Sequence, residues 1–459
     1  MDRERLETLL AAARLPLPAP DAVAIAGHDP ILPSRFPIGE AAAAAIGLGA
    51  AGAATLWELR GGAPQTARVE VRAAAAHLLG FLLQSVPGLD LTRFRNAATE
   101  LYPTGDGRHV FLHGGFPALA EGLLALLECP MDADAIRARL AGWKAADLED
   151  AIAERGLCGA MVRTAAEWSE HPQSRALAEL PAVEILPLGD APAEPLPEGD
   201  RPLAGVRVLD LTRVLAGPSC GRALAEHGAD VLRVGAPGLP SIEPFVVETG
   251  RGKRNAFLDL DVADQRERLR GLAREADVFC QGYRSGSLDR RGFSPADLAA
   301  LRPGIVYVSI NCYGHEGPWA GRPGWEQLAQ SASGMAAAEG GDAPPRLVPA
   351  AATDYTTGAL AAWGVMEALR RRATEGGSWW VRASLCQTAM WLTRLGADLD
   401  PAQARGLGDV ASLQQRATTA WGELTHLAPA ATLECTPLRY ALPPSPLGSH
   451  PAEWRPRGA

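Results

Sequence analysis

The stretch "GVRVLDLTRVLAGPSCGRALAEHGADVLRVGAP", residues 205–237, decides the fold. A short Val/Leu run (205–211) leads through a turn of small residues into a helical pattern (217–228). A second apolar run then stops at Gly235 and Pro237. Two buried-type strands joined by a helix are the unit of a parallel sheet. The same alternation continues through "DVFCQGY" (277–283), the helical "SPADLAALRPG" (294–304) and "IVYVSINCYG" (305–314). The fold class predicted is α/β, a Rossmann-like doubly wound parallel sheet plus a smaller α-rich (α+β) domain. Ligands of such sheets sit at the carboxyl ends of the strands.

Outward from this stretch, Pro, Gly and acidic residues concentrate in 185–205, which marks a linker, taken as 191–204. Residues 1–190 before it are helix-rich, with a short β element around "GRHVFLHG". Residues 205–400 form the Rossmann-like unit, and 401–459 a tail that returns to it. A gapless shift of 310 residues matches Leu59 to Leu369, Arg60 to Arg370, Val71 to Val381, Arg72 to Arg382 and Ala73 to Ala383. Under that shift Ala44 takes the place of Asp354.

A net charge of −9 disfavours a nucleic-acid binder or an anionic-membrane binder. The start of the chain lacks the long apolar core of a secretory signal, which points to a cytoplasmic protein. The run "AAAAAIGLGAAGAATLW" is rich in Ala and Gly and is read as a buried helix, not a membrane span. Seven scattered cysteines suggest neither disulfides nor zinc, and no histidine spacing suggests a metal.

The first strand-to-helix turn has no GxGxxG, and the second strand ends without Asp or Glu, so an NAD-dependent oxidoreductase is disfavoured. There is no GxSxG elbow. What remains is the turn Ala216-Gly217-Pro218, open to close approach. A scatter of basic residues accompanies it: Arg213, Arg233, the "RGKR" run with Arg254, Arg284, Arg290 and Arg291. As a cluster these suit a polyanion. His171 and His315 are read as loop histidines. "AATDYTTG" (351–358) puts one carboxylate, Asp354, where a helix begins. It can cap the helix. It can equally be an ionised nucleophile that attacks an activated acyl group.

Taken in order, "PLAGVRVLDLTRVLAGP", "GRGKRNAFLDL", "ADVFCQGYRSGSLDRRGF", "GHEGPWAGRPGWEQLAQSASG" and "DYTTGALAAWG" resemble the family III CoA-transferases. The resemblance implies coenzyme A, bound as acyl-CoA, and a carboxylic acid as substrates, with no metal and an interlocked homodimer. It implies that Asp354, of the DxxTG signature, is the acyl-accepting nucleophile, working through aspartyl anhydride and enzyme-CoA thioester intermediates. Glu326 then orients or polarises the substrate. Val214, Leu215 and Ala216 line the nucleotide, Tyr283 covers the adenine, and Arg290 and Arg254 hold phosphate. Gly235, Gly282 and Ser285 depart from the family's usual acidic residue, Asn and Pro. The related 2-methylacyl-CoA racemases carry a His where this chain has Trp325, and proton transfer on two faces needs two acid/base groups. A racemase or a non-catalytic CoA-binding homologue is the alternative. Residues 40–190 resemble the family's post-nucleophile helix and small domain, moved ahead of the CoA-binding half. Ala44 then marks a dead copy.

Overall fold

The computed structural model describes residues 1–90 and 95–457; residues 91–94 of the helix-rich segment and 458–459 of the tail lie outside the described residues. Seven strands form the main sheet: β1 (Val183–Gly189), β2 (Arg207–Leu211), β3 (Asp230–Gly235), β4 (Lys253–Phe257), β5 (Val278–Gln281), β6 (Val306–Asn311) and β7 (Ser378–Ser384). Their order across the sheet is β1-β7-β6-β5-β2-β3-β4. All neighbours pair in parallel except β1, which runs antiparallel to β7. From β2 the chain winds outward through β3 to β4, then returns to the other side of β2 for β5, β6 and β7. This is the strand order of a doubly wound α/β sheet, and its reversal between β2 and β5 opens a crevice at the carboxyl ends.

Two parts of this sheet differ from the sequence expectation. The beginning of the stretch read as linker is β1, an edge strand whose apolar positions pair with the Trp-rich β7. Beyond it, residues 190–206 carry no helix or strand, but Glu194 anchors them through Arg302 at 2.6 Å. The "RGKR" run enters β4, a strand that charge concealed. Its cations are buried and paired: Lys253 with Asp210 at 2.8 Å, Arg254 with Asp230 at 2.9 Å, and Arg251 with Glu248 at 2.6 Å. Such residues are buried only when paired, so they follow a strand's burial without its apolar pattern.

Four helices position the site: α1 (Ile38–Leu59), α2 (Ala216–Glu226), α3 (Glu326–Ala332) and α4 (Ala352–Glu375). The Ala/Gly-rich α1 is long and apolar enough to cross a membrane by composition, yet it is mostly buried and packs along α4. Both α1 and α4 are followed by a strand and a helix, Ala67–Glu70 with Val71–His77 and β7 with Leu385–Arg394, so the weak echo corresponds to a repeated local architecture. Its register at the helix heads is different, however. Asp354 is third in α4 and Glu40 is third in α1, whereas Ala44 lies a turn deeper. Glu40, in the first turn of α1, is buried and paired with Arg5 at 2.6 Å.

Residues 97–180 form a smaller unit with a three-stranded antiparallel sheet, Thr99–Pro103, His109–His113 and Gly159–Met161. It has its own core around Val110, Leu123, Ile136 and Leu148. The tail returns to the main sheet, where Trp454 lies against the guanidinium groups of Arg207 and Arg254.

Candidate active site

A cavity of about 790 Å³ lies at the carboxyl ends of β2, β3, β5 and β6. Its floor is the turn from β2 into α2. Buried Asp210 accepts hydrogen bonds from the Thr212 amide at 2.9 Å and hydroxyl at 2.5 Å. Lys253 ties Asp210 to the Pro218 carbonyl. With both ends of the turn held, Val214 is left at φ +69°, a region that costs a β-branched residue strain and is found at ligand-binding turns. Gly217 has no alternative: a Cβ there would meet Thr212 at 2.4 Å.

Helix α4 meets this turn at Gly358, where a Cβ would come within 2.6 Å of the Ala216 carbonyl oxygen. The glycine of DxxTG thus allows the two helices to touch, and this contact brings Asp354 to the head of α2. There the Ala216 amide donates to the Asp354 carboxylate. Asp354 is not the helix cap: the N-cap is Ala351, without a side-chain bond, and Asp354 lies in the first turn. Nor is it held low as the helix dipole alone would have it. Burial dominates and lifts it to about 7, with the Ala216 amide opposing.

Glu326, the first residue of α3, is buried beside it. Its carboxyl accepts from the Thr353 amide at 2.8 Å and from Gln330 at 3.2 Å. Burial first, and then the charge of Asp354, push Glu326 well above the usual carboxylate range. The two carboxyls form one coupled unit, both raised above the usual carboxylate range, chiefly by burial.

Val214, Leu215, Ala216, Tyr283, Arg290, Glu326 and Asp354 all line this one cavity, together with Arg213, Arg284 and Arg291. Tyr283 is held by its amide to the Gln281 side chain at 2.8 Å. Arg254 does not reach the cavity. Its guanidinium is committed to Asp230 and to the Glu453 carbonyl at 2.6 Å, so its assignment to phosphate is corrected to a structural ion pair. Arg233 is buried below Tyr283 and likewise does not line the main cavity.

The remaining wall was not legible in the sequence, because the smaller unit supplies it. Phe116, Leu119 and Cys158 line the cavity, as do Cys312 and His315. Trp325 is flanked by His113, stacked at 4.2 Å, and Phe116, edge-on at 5.0 Å. The loop carrying Trp325 to Glu326 is fixed by buried Gln173. This side chain donates to the Tyr313 and Glu316 carbonyls, each at 2.7 Å, and accepts from the Trp319 amide at 2.6 Å. The only sequence signal was "HGGFPALAEG", where Pro117 opens a helix behind Phe116.

Residues 203–416 match the model of CoA-transferase family III. An acyl-CoA transferase of Gibberella moniliformis is 35% identical over 379 residues, covering 76% of this chain and 66% of its own length. The formyl-CoA:oxalate CoA-transferase of Escherichia coli is 31% identical over 207 residues, 42% of this chain and 50% of that enzyme. A solved structure of a hypothetical protein from Mycobacterium tuberculosis is 30% identical over 42% of this chain and 56% of its own, with a TM-score of 0.40. The chain thus spans between half and two thirds of the length of these curated relatives. The α/β sheet with its carboxyl-end cavity, the ordered motifs and these matches agree: the chain belongs to CoA-transferase family III.

Proposed function

We propose that this protein transfers CoA from an acyl-CoA donor to a free carboxylic acid, with Asp354 as the acyl-accepting nucleophile. The observation that carries this reading is the Asp354 carboxylate, buried against the Ala216 amide in the cavity that also contains Tyr283 and the arginines of the loop after β5.

Asp354 attacks the thioester carbonyl; the C–S bond breaks, CoA leaves as thiolate, and a mixed anhydride forms. The thiolate attacks the aspartyl carbonyl and releases the donor's carboxylate, leaving an enzyme-CoA thioester. The acceptor carboxylate displaces the thiolate to form a second anhydride. The thiolate then takes the acceptor acyl group and frees Asp354. No proton is gained or lost over the cycle. The Ala216 amide, at the head of α2, is placed to stabilise negative charge that develops on the aspartyl oxygens. Protonated Glu326 keeps the site to one negative charge and supplies an O–H donor beside the acyl oxygen. Burial supports nucleophilicity by stripping water from Asp354. Arg290, with Arg284 and Arg291, holds the phosphates, and Tyr283 the adenine.

The test is to incubate the protein with a panel of acyl-CoAs and hydroxylamine and look for the hydroxamate at Asp354 by mass spectrometry, with Asp354→Ala as control. Modification of Asp354 alone is expected. Absence of the hydroxamate across the panel overturns the reading.

A further inference from the structure

The wall of the cavity leads away from Asp354 through a chain of contacts. The Cys312 thiol lies in the electrostatic reach of Asp354 and donates to the Trp325 carbonyl at 3.4 Å. Trp325 neighbours Cys158 and meets the ring of Phe116 at 5.0 Å. Leu119 sits one helical turn beyond Phe116, its amide bonded to the Phe116 carbonyl at 3.0 Å. All five line the cavity, and none bears a charge.

Five arginines line the same cavity; Arg322, on the loop before Trp325, lies over the Trp319 ring at 4.1 Å and faces Glu149 and Asp150. Arg213 lies on the face of Phe116 at 4.8 Å and donates to the Pro240 carbonyl. Arg284, Arg290 and Arg291 belong to the loop after β5; Arg291 pairs with Asp261 at 2.6 Å, and Arg284 reaches the smaller unit at Gly156 and Cys158, the polar edge of this wall. Trp325, Phe116 and Leu119 give the cavity an apolar face, and burial is the main influence on Asp354.

From this wall we infer that the donor's acyl group is an apolar hydrocarbon chain, seated on Trp325, Phe116 and Leu119, and that Phe116 and Leu119 set its length. The inference rests on the transferase reading above. Apolar burial raises affinity methylene by methylene, whereas a second carboxylate placed against Trp325, Phe116 and Leu119 loses its water and gains no hydrogen bond from these three side chains. The smaller unit, and not the sheet that holds the nucleotide, then decides which acyl group is used.

The experiment measures the single-turnover rate of hydroxamate formation at Asp354 with acetyl-, butyryl-, hexanoyl- and succinyl-CoA, which requires no acceptor. The rate at subsaturating donor is expected to rise by about fourfold per added methylene until the wall is filled. Phe116→Ala and Leu119→Ala flatten that dependence, and Leu119→Phe shortens the optimum. Thermal melts show which variants fold, and Phe116→Leu serves where alanine does not. Succinyl-CoA reacting as fast as hexanoyl-CoA, with Arg284→Ala abolishing the reaction, overturns the inference and leaves Asp354 as nucleophile. A chain-length profile unchanged in folded Phe116 and Leu119 variants overturns it as well. No hydroxamate with any donor overturns the transferase reading, and the inference falls with it.

Discussion

Glu326 accepts the amide of Thr353 at 2.8 Å, and Thr353 immediately precedes Asp354, so the two carboxyls of the site are joined through the first turn of one helix. That link puts them close enough for Asp354 to raise Glu326. Burial is the largest influence on both carboxyls. One proton shared between them is the state the geometry favours near neutral pH.

Hydroxamate formation therefore falls on the acid side with a midpoint near pH 7, as Asp354, raised to about 7, takes up a proton. With Glu326 pushed well above the usual carboxylate range, Glu326→Gln is expected to leave this midpoint in place while lowering the rate. A midpoint that drops toward the ordinary carboxylate range in Glu326→Gln would show that Glu326 is ionised. The pH profile of the trapping rate checks both.

The same shift acts on stability. Asp354 holds its proton more tightly folded than unfolded, so unfolding releases a proton between the ordinary aspartate value of 3.8 and about 7, and stability falls as pH rises through that window. Asp354→Asn removes the penalty. Its melting temperature matches wild type below about pH 4 and exceeds it by on the order of 2 °C at about pH 8, while trapping is lost. Melts at the two pH values measure the difference.

Gln173 is fully buried and makes three hydrogen bonds to the loop that delivers Trp325 and Glu326. Gln173→Ala leaves two carbonyls and an amide without partners, at a cost of about 3 kcal/mol in urea unfolding. The released loop also lowers the trapping rate.

Arg290 and Arg254, the latter a structural ion-pair cation, test the proposed phosphate role against a structural one. Arg290 lines the cavity, is exposed and has no ion pair among the described residues. Arg290→Ala raises the KM for acyl-CoA by roughly tenfold, with unfolding unchanged. Arg254→Ala strands Asp230 and destabilises the fold by about 3 kcal/mol, with KM unchanged in the folded fraction. Steady-state kinetics and denaturation on both variants distinguish them.

The parallel sheet was legible because strands buried on both faces read as short runs rich in Val, Leu and Ile, as in 206–211 and 305–310. Strand β4 escaped that test because its burial is achieved through ion pairs. The edge strand β1 escaped it because "VEILPLG" mixes polar and apolar residues beside a Pro-rich segment. Asp354, Glu326 and the turn at Val214–Ala216 were found through short motifs whose residues are local in the chain.

What the sequence by itself determined is the alternation of strand and helix, the small-residue turn and a lone carboxylate at the head of a helix. Local spacing and side-chain size are enough for these. Three things depended on the tertiary structure. Asp354 is lifted to about 7 and is not lowered by its helix, because desolvation comes from residues distant in sequence. Arg254 is taken out of the phosphate site by Asp230, a partner on the neighbouring strand. Phe116, Leu119 and Cys158 enter the cavity from a unit about 200 residues before Asp354, because long-range packing, not spacing, sets which surfaces meet.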